Sequence, residues 1–168
     1  MKQKSDIVKT GDGWKLFLAS GFFLGLAPVV PGSFGALPAL AWHAVAFLLG
    51  WSDLAVRAWC LFGALAFSVM HYRLTPWAQA RWNDPDPRHF VLDEVVGYLC
   101  VPLFASPLHF WWQLPAGFCI FRIFDAIKLP GARYIDRNIH TASGVLFDDV
   151  VSAAYSAAAL SLVTMLVE

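Results

Sequence analysis

Val150-Val151-Ser152-Ala153-Ala154-Tyr155-Ser156-Ala157-Ala158-Ala159-Leu160-Ser161-Leu162-Val163-Thr164-Met165-Leu166-Val167 runs for 18 residues without Asp, Glu, Lys or Arg, directly after the pair Asp148-Asp149. About 20 apolar residues at about 1.5 Å each cross the hydrocarbon layer of a membrane, so this stretch reads as a spanning helix with its acids left at one edge. Three more windows are equally free of charge: residues 16–52 (37 residues), 58–72 (15) and 95–121 (27). The four windows hold 97 of the 168 residues, and all 24 charges fall in the other 71. Hydrophobic residues make up 58% of the chain and charged ones 14%, and the mean hydropathy is +0.58. Such a chain is neither a freely soluble monomer nor disordered. Its 12 basic and 12 acidic residues cancel, which excludes a nucleic-acid binder that works by neutralising phosphates.

The pattern predicts an all-α, polytopic membrane helical bundle of one domain over residues 1–168. About five spanning helices are expected, plus a short N-terminal re-entrant or interfacial helix. Pro28-Val29-Val30-Pro31-Gly32 splits the first window into residues 16–27 and 34–49. The other expected spans are 54–72, 90–105, 108–124 and 150–167. Basic residues gather in residues 1–15, in 73–89 and after Ile120, which places these regions in the cytoplasm. The parity works only if residues 16–30 do not cross. Asp6 and Asp12 interrupt the basic N-terminus and Pro28 follows Ala27, so the segment is expected to be retained as a cytoplasmic N-terminal piece (1–15) and not cleaved as a signal peptide. Cys60, Cys100 and Cys119 lie in apolar windows without metal-ligand spacing and read as packing residues.

Five carboxylates stand where soluble loops meet apolar helices: Asp93, Glu94, Asp125, Asp148 and Asp149. Carboxylates at such an edge are costly unless hydrated, paired or bound to a cation. Each alone would also serve as a helix cap, because the dipole favours acids at N-termini. Two adjacent acidic pairs plus Asp125 favour a shared hard-oxygen site for Mg²⁺. Arg122, Asp125 and Lys128 recur at a helical spacing, so the two cations are candidates to clamp a phosphate. Gly32, Ser33 and Gly35 open the second apolar segment and are candidates to bring backbone N–H groups to an anion. The eight Trp read as membrane belts.

These residues fall in four motifs. Asp86-Pro87-Arg88-His89-Phe90-Val91-Leu92-Asp93-Glu94-Val95-Val96-Gly97 resembles the D-P-x-x-I-V-I-D-E-x-x-G signature of the phosphatidylglycerophosphatase A family. Phe121-Arg122-Ile123-Phe124-Asp125-Ala126-Ile127-Lys128 resembles its F-R-x-F-D-x-x-K element. Gly144-Val145-Leu146-Phe147-Asp148-Asp149-Val150 is similar to G-I-M-x-D-D-V, and Pro31-Gly32-Ser33-Phe34-Gly35 to P-G-T-x-G. The matches occur in family order over nearly the whole chain. Departures include Leu129-Pro130-Gly131 in place of P-x-P and Ser152-Ala153 in place of A-G.

The resemblance implies a helical membrane enzyme of a bacterial inner membrane, with its active site facing the cytoplasm. Its activity would be Mg²⁺-dependent removal of the phosphomonoester of phosphatidylglycerophosphate, yielding phosphatidylglycerol. Asp93, Glu94, Asp125 and Asp149 would be catalytic, and with Asp148 would hold the metal. Gly32, Ser33, Gly35, Arg122 and Lys128 would bind the phosphate. The residues agree by elimination: no cysteine has the C-x₅-R spacing of a covalent phosphatase, and no apolar strand precedes Asp84-Pro85-Asp86. Metal-activated water is the chemistry left. The alternatives are a phosphatase of another lipid phosphate, an ion-transport protein with an acidic path, or a non-catalytic lipid-binding protein.

Overall fold

Ser52 and Thr141 each stand just outside a long apolar helix and accept a backbone N–H on their side-chain oxygen, from Ala55 at 3.4 Å and from Gly144 at 3.2 Å. The computed structural model, which describes residues 12–106 and 111–167, has helices joined by short connections, with no strand among those residues. In chain order it has α1 (Gly13–Ala19), a 3-10 turn (Leu24–Leu26), α2 (Pro31–Gly35), α3 (Leu37–Leu48) and α4 (Asp53–Trp82). Then follow α5 (Leu92–Phe104), α6 (Gln113–Ile127), α7 (Ala132–Asn138) and α8 (Ala142–Val167). Most of the expected segment 1–15, part of the 106–107 connection and the C-terminal Glu168 lie outside the described residues.

α5 is the axis of the bundle. From Leu92 to Pro102 every residue except Glu94 is buried, and α3, α4 and α8 pack around it. Its neighbours come close because small residues line the contacts. On α8 these are Ser152, Ala153, Ser156 and Ala157, all buried. The two serine hydroxyls donate to carbonyls one turn back, Ser152 to Asp148 and Ser156 to Ser152, so burial leaves neither unsatisfied. On α5 itself, a Cβ at Gly97 would lie 2.7 Å from the Phe121 ring and 2.9 Å from Asp149 Cβ. α3 and α4 are joined by Trp42 and Trp59, whose rings stack at 4.0 Å and exchange N–H···O=C bonds of 3.1 and 2.9 Å.

Successive long helices run antiparallel, and contacts at one end prove the register. The Arg57 fork donates to the Leu103 and Ala105 carbonyls at 2.8 Å each, capping the C-terminus of α5, while its Nε pairs with Asp53. Ser106 N donates to Ser161 Oγ at 2.8 Å, and Gln113 Nε2 to Thr164 Oγ1 at 2.9 Å. The opposite end therefore collects the starts of α5 and α8 and the ends of α4 and α6.

The helix lengths differ from the expectation of five spans. Among the described residues only α4 (30 residues) and α8 (26) are long and apolar enough, by length and composition, to cross a membrane. α3, α5 and α6 have 12, 13 and 15 residues. α4 also overruns its expected end at residue 72: helical hydrogen bonding continues past Arg73 and Pro76 and stops at Asn83, whose left-handed φ of 54° ends the helix. Loss of apolarity does not by itself end a helix; a residue that turns the backbone does. Residues 16–27 form no single helix. α1 stops at Ala19, and positive φ at Gly21, Phe22 and Phe23 turns the chain back. Seven helical residues reach only about 10 Å, too little to cross.

Because Gly97 sets the spacing of α5, α6 and α8, Gly97→Val is expected to destabilise the fold by about 1–3 kcal/mol, the usual range for overpacking. Thermal unfolding in detergent should show a lower midpoint and a smaller folded yield. A wild-type midpoint would mean that the contact has slack.

Candidate active site

At the end of the bundle away from Arg57, three helices deliver acidic or basic groups to one place. Asp93 and Glu94 occupy the first turn of α5, where the unpaired N–H groups and the dipole favour carboxylates. Arg122 and Asp125 sit in the last turns of α6, and Lys128 ends that helix in the left-handed region at φ 52°. Asp148 and Asp149 lie two turns into α8. Backbone strain recurs opposite them: Val30, a β-branched residue, holds φ 45° where the chain enters α2.

Lys128 is the electrostatic centre. Its ammonium pairs with Asp125 Oδ1 at 3.1 Å, with Asp149 Oδ1 at 3.2 Å and with Asp148 Oδ2. Burial alone would lower its pKa, but Asp149, Asp125 and Asp148 together raise it well above the ordinary lysine value, so it stays charged. Asp125 shows the reverse balance. Burial works against its charge, and the ion pairs with Arg122 and Lys128 offset that cost.

The five carboxylates divide by what holds them. Asp125 has both oxygens engaged, Oδ2 on Arg122 Nη1 at 2.8 Å and Oδ1 on Lys128. Asp93, Glu94 and Asp149 each offer an oxygen within 4.8 Å of the other two. Asp93 Oδ1, Glu94 Oε2 and Asp149 Oδ2 are buried without a protein hydrogen bond, as is Asp148 Oδ1, and Asp149 is only 2% exposed. Buried oxygens left in this state cost free energy unless water or a cation meets them. An all-carboxylate donor set fits a hard divalent ion such as Mg²⁺, with Asp93, Glu94 and Asp149 as its holders.

These groups open into a pocket of about 250 Å³. Asp93, Glu94, Asp125, Lys128, Asp148 and Asp149 line it, together with Asp86, Arg88, Phe90 and Val145. The last four escaped the sequence reading. Asp86 and Arg88 stand within a recognised motif, but only the folded loop turns them toward the carboxylates. Arg122 does not line the pocket. Its Nε donates to Ser33 Oγ at 3.2 Å, and Nη1 faces Asp125 and, at 3.9 Å, Glu94. Six positions along the chain separate it from Lys128: Arg122 points from the helix toward α2, whereas Lys128 lies past the helix end and turns inward.

The two glycines of α2 have different neighbours. A Cβ at Gly32 would lie 2.3 Å from Glu94 Oε1 and 2.5 Å from Arg122 Nη2, so α2 presses directly on charged groups of the site. A Cβ at Gly35 would meet the Val91 side chain at 2.5 Å. Gly35 is thus a packing glycine against α5, away from the carboxylates.

The chain matches the phosphatidylglycerophosphatase A family over residues 17–164. It belongs to that family. It is 35% identical over 154 residues to phosphatidylglycerophosphatase A of Escherichia coli (strain K12), covering 91% of this chain and 84% of that protein. A protein of Bacteroides thetaiotaomicron that carries the provisional name phosphatidylinositol-3-phosphatase is 35% identical over 148 residues, 84% of this chain and 87% of its own length. Phosphatidylglycerophosphatase A of Haemophilus influenzae is 34% identical over 139 residues, 83% of this chain and 82% of its own. No solved structure gives a significant match. All four motifs lie within the family match, and three of them supply the Asp93–Glu94, Arg122–Lys128 and Asp148–Asp149 ends of the site.

The contrast between the glycines is testable. Gly32→Ala should keep the folded yield and lose at least about tenfold in turnover, since the methyl displaces Glu94 or Arg122. Gly35→Val should mainly lower the folded yield by driving α2 off Val91. Equal effects on both readouts in both variants would dissolve the distinction.

Proposed function

We propose that the protein is a Mg²⁺-dependent phosphomonoesterase that converts phosphatidylglycerophosphate to phosphatidylglycerol and phosphate in phospholipid biosynthesis. The observation that carries this reading is the convergence of Asp93, Glu94 and Asp149, with buried oxygens unpartnered, beside the Lys128 ammonium. Family membership and the names of the Escherichia coli and Haemophilus influenzae relatives support a phosphatidylglycerophosphatase. Bound there, Mg²⁺ would neutralise phosphoryl charge and make a bound water acidic enough to attack. Lys128 lines the pocket, so its charge faces an entering phosphate as negative charge builds on the phosphoryl oxygens. Arg122, gripped by Ser33 and Asp125, keeps Asp125 and Glu94 in place from behind. A carboxylate of the group, Glu94 or Asp149, accepts the proton of the attacking water. The acids stand at one end of the bundle, which favours this chemistry over an ion path through the middle of the spans.

We also propose that the bundle sits in the bacterial inner membrane with this site on the cytoplasmic side. Leu61, Phe62, Leu65 and Val69 on α4, and Leu162, Met165 and Leu166 on α8, are exposed on helices long enough to span. The shorter α3, α5 and α6 cross beside them, each antiparallel to the long helix before or after it in the chain, their length met by apolar flanks and local thinning of the bilayer. Residues 22–30 add exposed Phe22, Phe23, Leu24, Leu26 and Val29 beside the site, an apolar turn suited to the interface.

Two experiments test these proposals. Phosphate release by the purified protein is measured on a panel of lipid phosphates with and without Mg²⁺. Turnover should be greatest on phosphatidylglycerophosphate and vanish without the metal; preference for a phosphoinositide would shift the substrate to that named for the Bacteroides relative. Asp93→Asn, Asp125→Asn and Asp149→Asn should each lose at least about a hundredfold, or about 2.7 kcal/mol of transition-state stabilisation. Asn keeps the size of Asp and loses only its charge, so near wild-type rates would remove these residues from the catalytic machinery.

The second experiment concerns orientation. In a variant without the native cysteines, cysteine at Asn83 or Asn138 should be shielded in intact cells from an impermeant thiol reagent. Cysteine at Ser52 should react. The opposite labelling would invert the topology.

A further inference from the structure

Six carboxylates line the pocket, Asp86, Asp93, Glu94, Asp125, Asp148 and Asp149, against two cations, Lys128 and Arg88. Lys128 is surrounded by three of those carboxylates. Arg88 forms no carboxylate ion pair among the described residues, and it lies exposed at the pocket's edge. It is nevertheless held. Arg88 Nε donates to His89 Nε2 at 3.2 Å, and His89 Nδ1 bonds the Gly25 carbonyl at 2.8 Å. The two contacts are mutually consistent in one neutral tautomer, with Nδ1 donating and Nε2 accepting. Phe90 N to the Pro87 carbonyl (2.7 Å) and Val91 N to the Ala19 carbonyl (3.0 Å) fix the same loop. Gly25 belongs to the turn whose neighbours Phe23, Leu24 and Leu26 are exposed apolar residues. Arg88 is therefore anchored through Nε between the carboxylate pocket and an apolar turn suited to the membrane surface, and its two terminal guanidinium nitrogens form no ion pair with a carboxylate among the described residues.

We infer that Arg88 is a specificity residue that binds the phosphodiester of the substrate while the phosphomonoester occupies the carboxylate–lysine pocket. Resting on the proposed lipid phosphatase activity, this defines a substrate class: lipids carrying a phosphomonoester and a phosphodiester on one headgroup. In phosphatidylglycerophosphate the two phosphates are one glycerol apart. The monoester enters the pocket, and the diester stays with the acyl chains at the interface, where Arg88 stands. A planar guanidinium pairs with two phosphate oxygens at once, which a lone lysine charge does not reproduce. Phosphatidic acid has the monoester alone and gains nothing from Arg88.

The test uses the full chain in mixed micelles with Mg²⁺. Arg88→Ala should raise KM for phosphatidylglycerophosphate about tenfold, equivalent to about 1.4 kcal/mol, with kcat within about threefold. Inhibition by phosphatidylglycerol, which keeps only the diester, should weaken by about the same factor. Inhibition by inorganic phosphate, which has no diester, should stay unchanged. Arg88→Lys should recover part of the KM effect, showing that charge and not folding is read. An unchanged KM, or equal weakening of both inhibitors, overturns the inference while wild-type turnover leaves the phosphatase reading intact. Absence of wild-type turnover overturns that reading, and this inference with it.

Discussion

Lys128 holds three carboxylates that could not otherwise be buried together. Asp125, Asp148 and Asp149 come from two helices, and all three are at most 6% exposed. Without a shared cation their mutual repulsion would drive α6 and α8 apart at this end. The lysine reaches all three because α6 ends on it in a left-handed conformation, which turns its side chain back across the bundle. A strained backbone at a charged centre is therefore a structural requirement here, and it places the cation on the wall of the pocket.

The second constraint is steric and acts through Val91 and α5. Gly21, Gly25 and Gly35 all pack against Val91, and Ala19 accepts its backbone N–H. This knot folds the N-terminal turn over the start of α5 and brings Gly32 and Ser33 onto Glu94 and Arg122. Farther along, Gly63 and Gly97 let α4, α6 and α8 approach the same helix. α5 thus carries two acids of the site at its head and is capped at its tail by Arg57. Packing that sets helix spacing also sets carboxylate spacing, so the fold and the candidate metal site share one geometry.

One end of the molecule combines apolar exposure with dense charge. The turn at residues 22–30 presents large apolar side chains, while the adjoining pocket is lined by acids and two cations. A lipid phosphate has the same two-sided character, with acyl chains beside a multiply charged headgroup. The pocket's excess of carboxylates repels a bare anion, so an anionic ligand needs positive charge beside it to enter.

Charge-free windows determined that the chain is helical, and the acids at their edges singled out Asp93, Glu94, Asp125, Asp148 and Asp149, which the fold gathers at one end of the bundle, because a buried carboxylate is costly without a partner. The break at Pro28–Gly32 was equally legible, since proline and glycine act locally. Tertiary structure alone decided which carboxylates keep unpartnered oxygens and which are consumed by Arg122 and Lys128. That division depends on distances between helices remote in sequence. It also decided that Gly35 packs on Val91 while Gly32 faces charge, that α4 continues to Trp82, and that Asp86 and Arg88 enter the pocket. Composition records how apolar a segment is, but not where its backbone finally turns. Only the turned chain sets a loop arginine beside a buried acid.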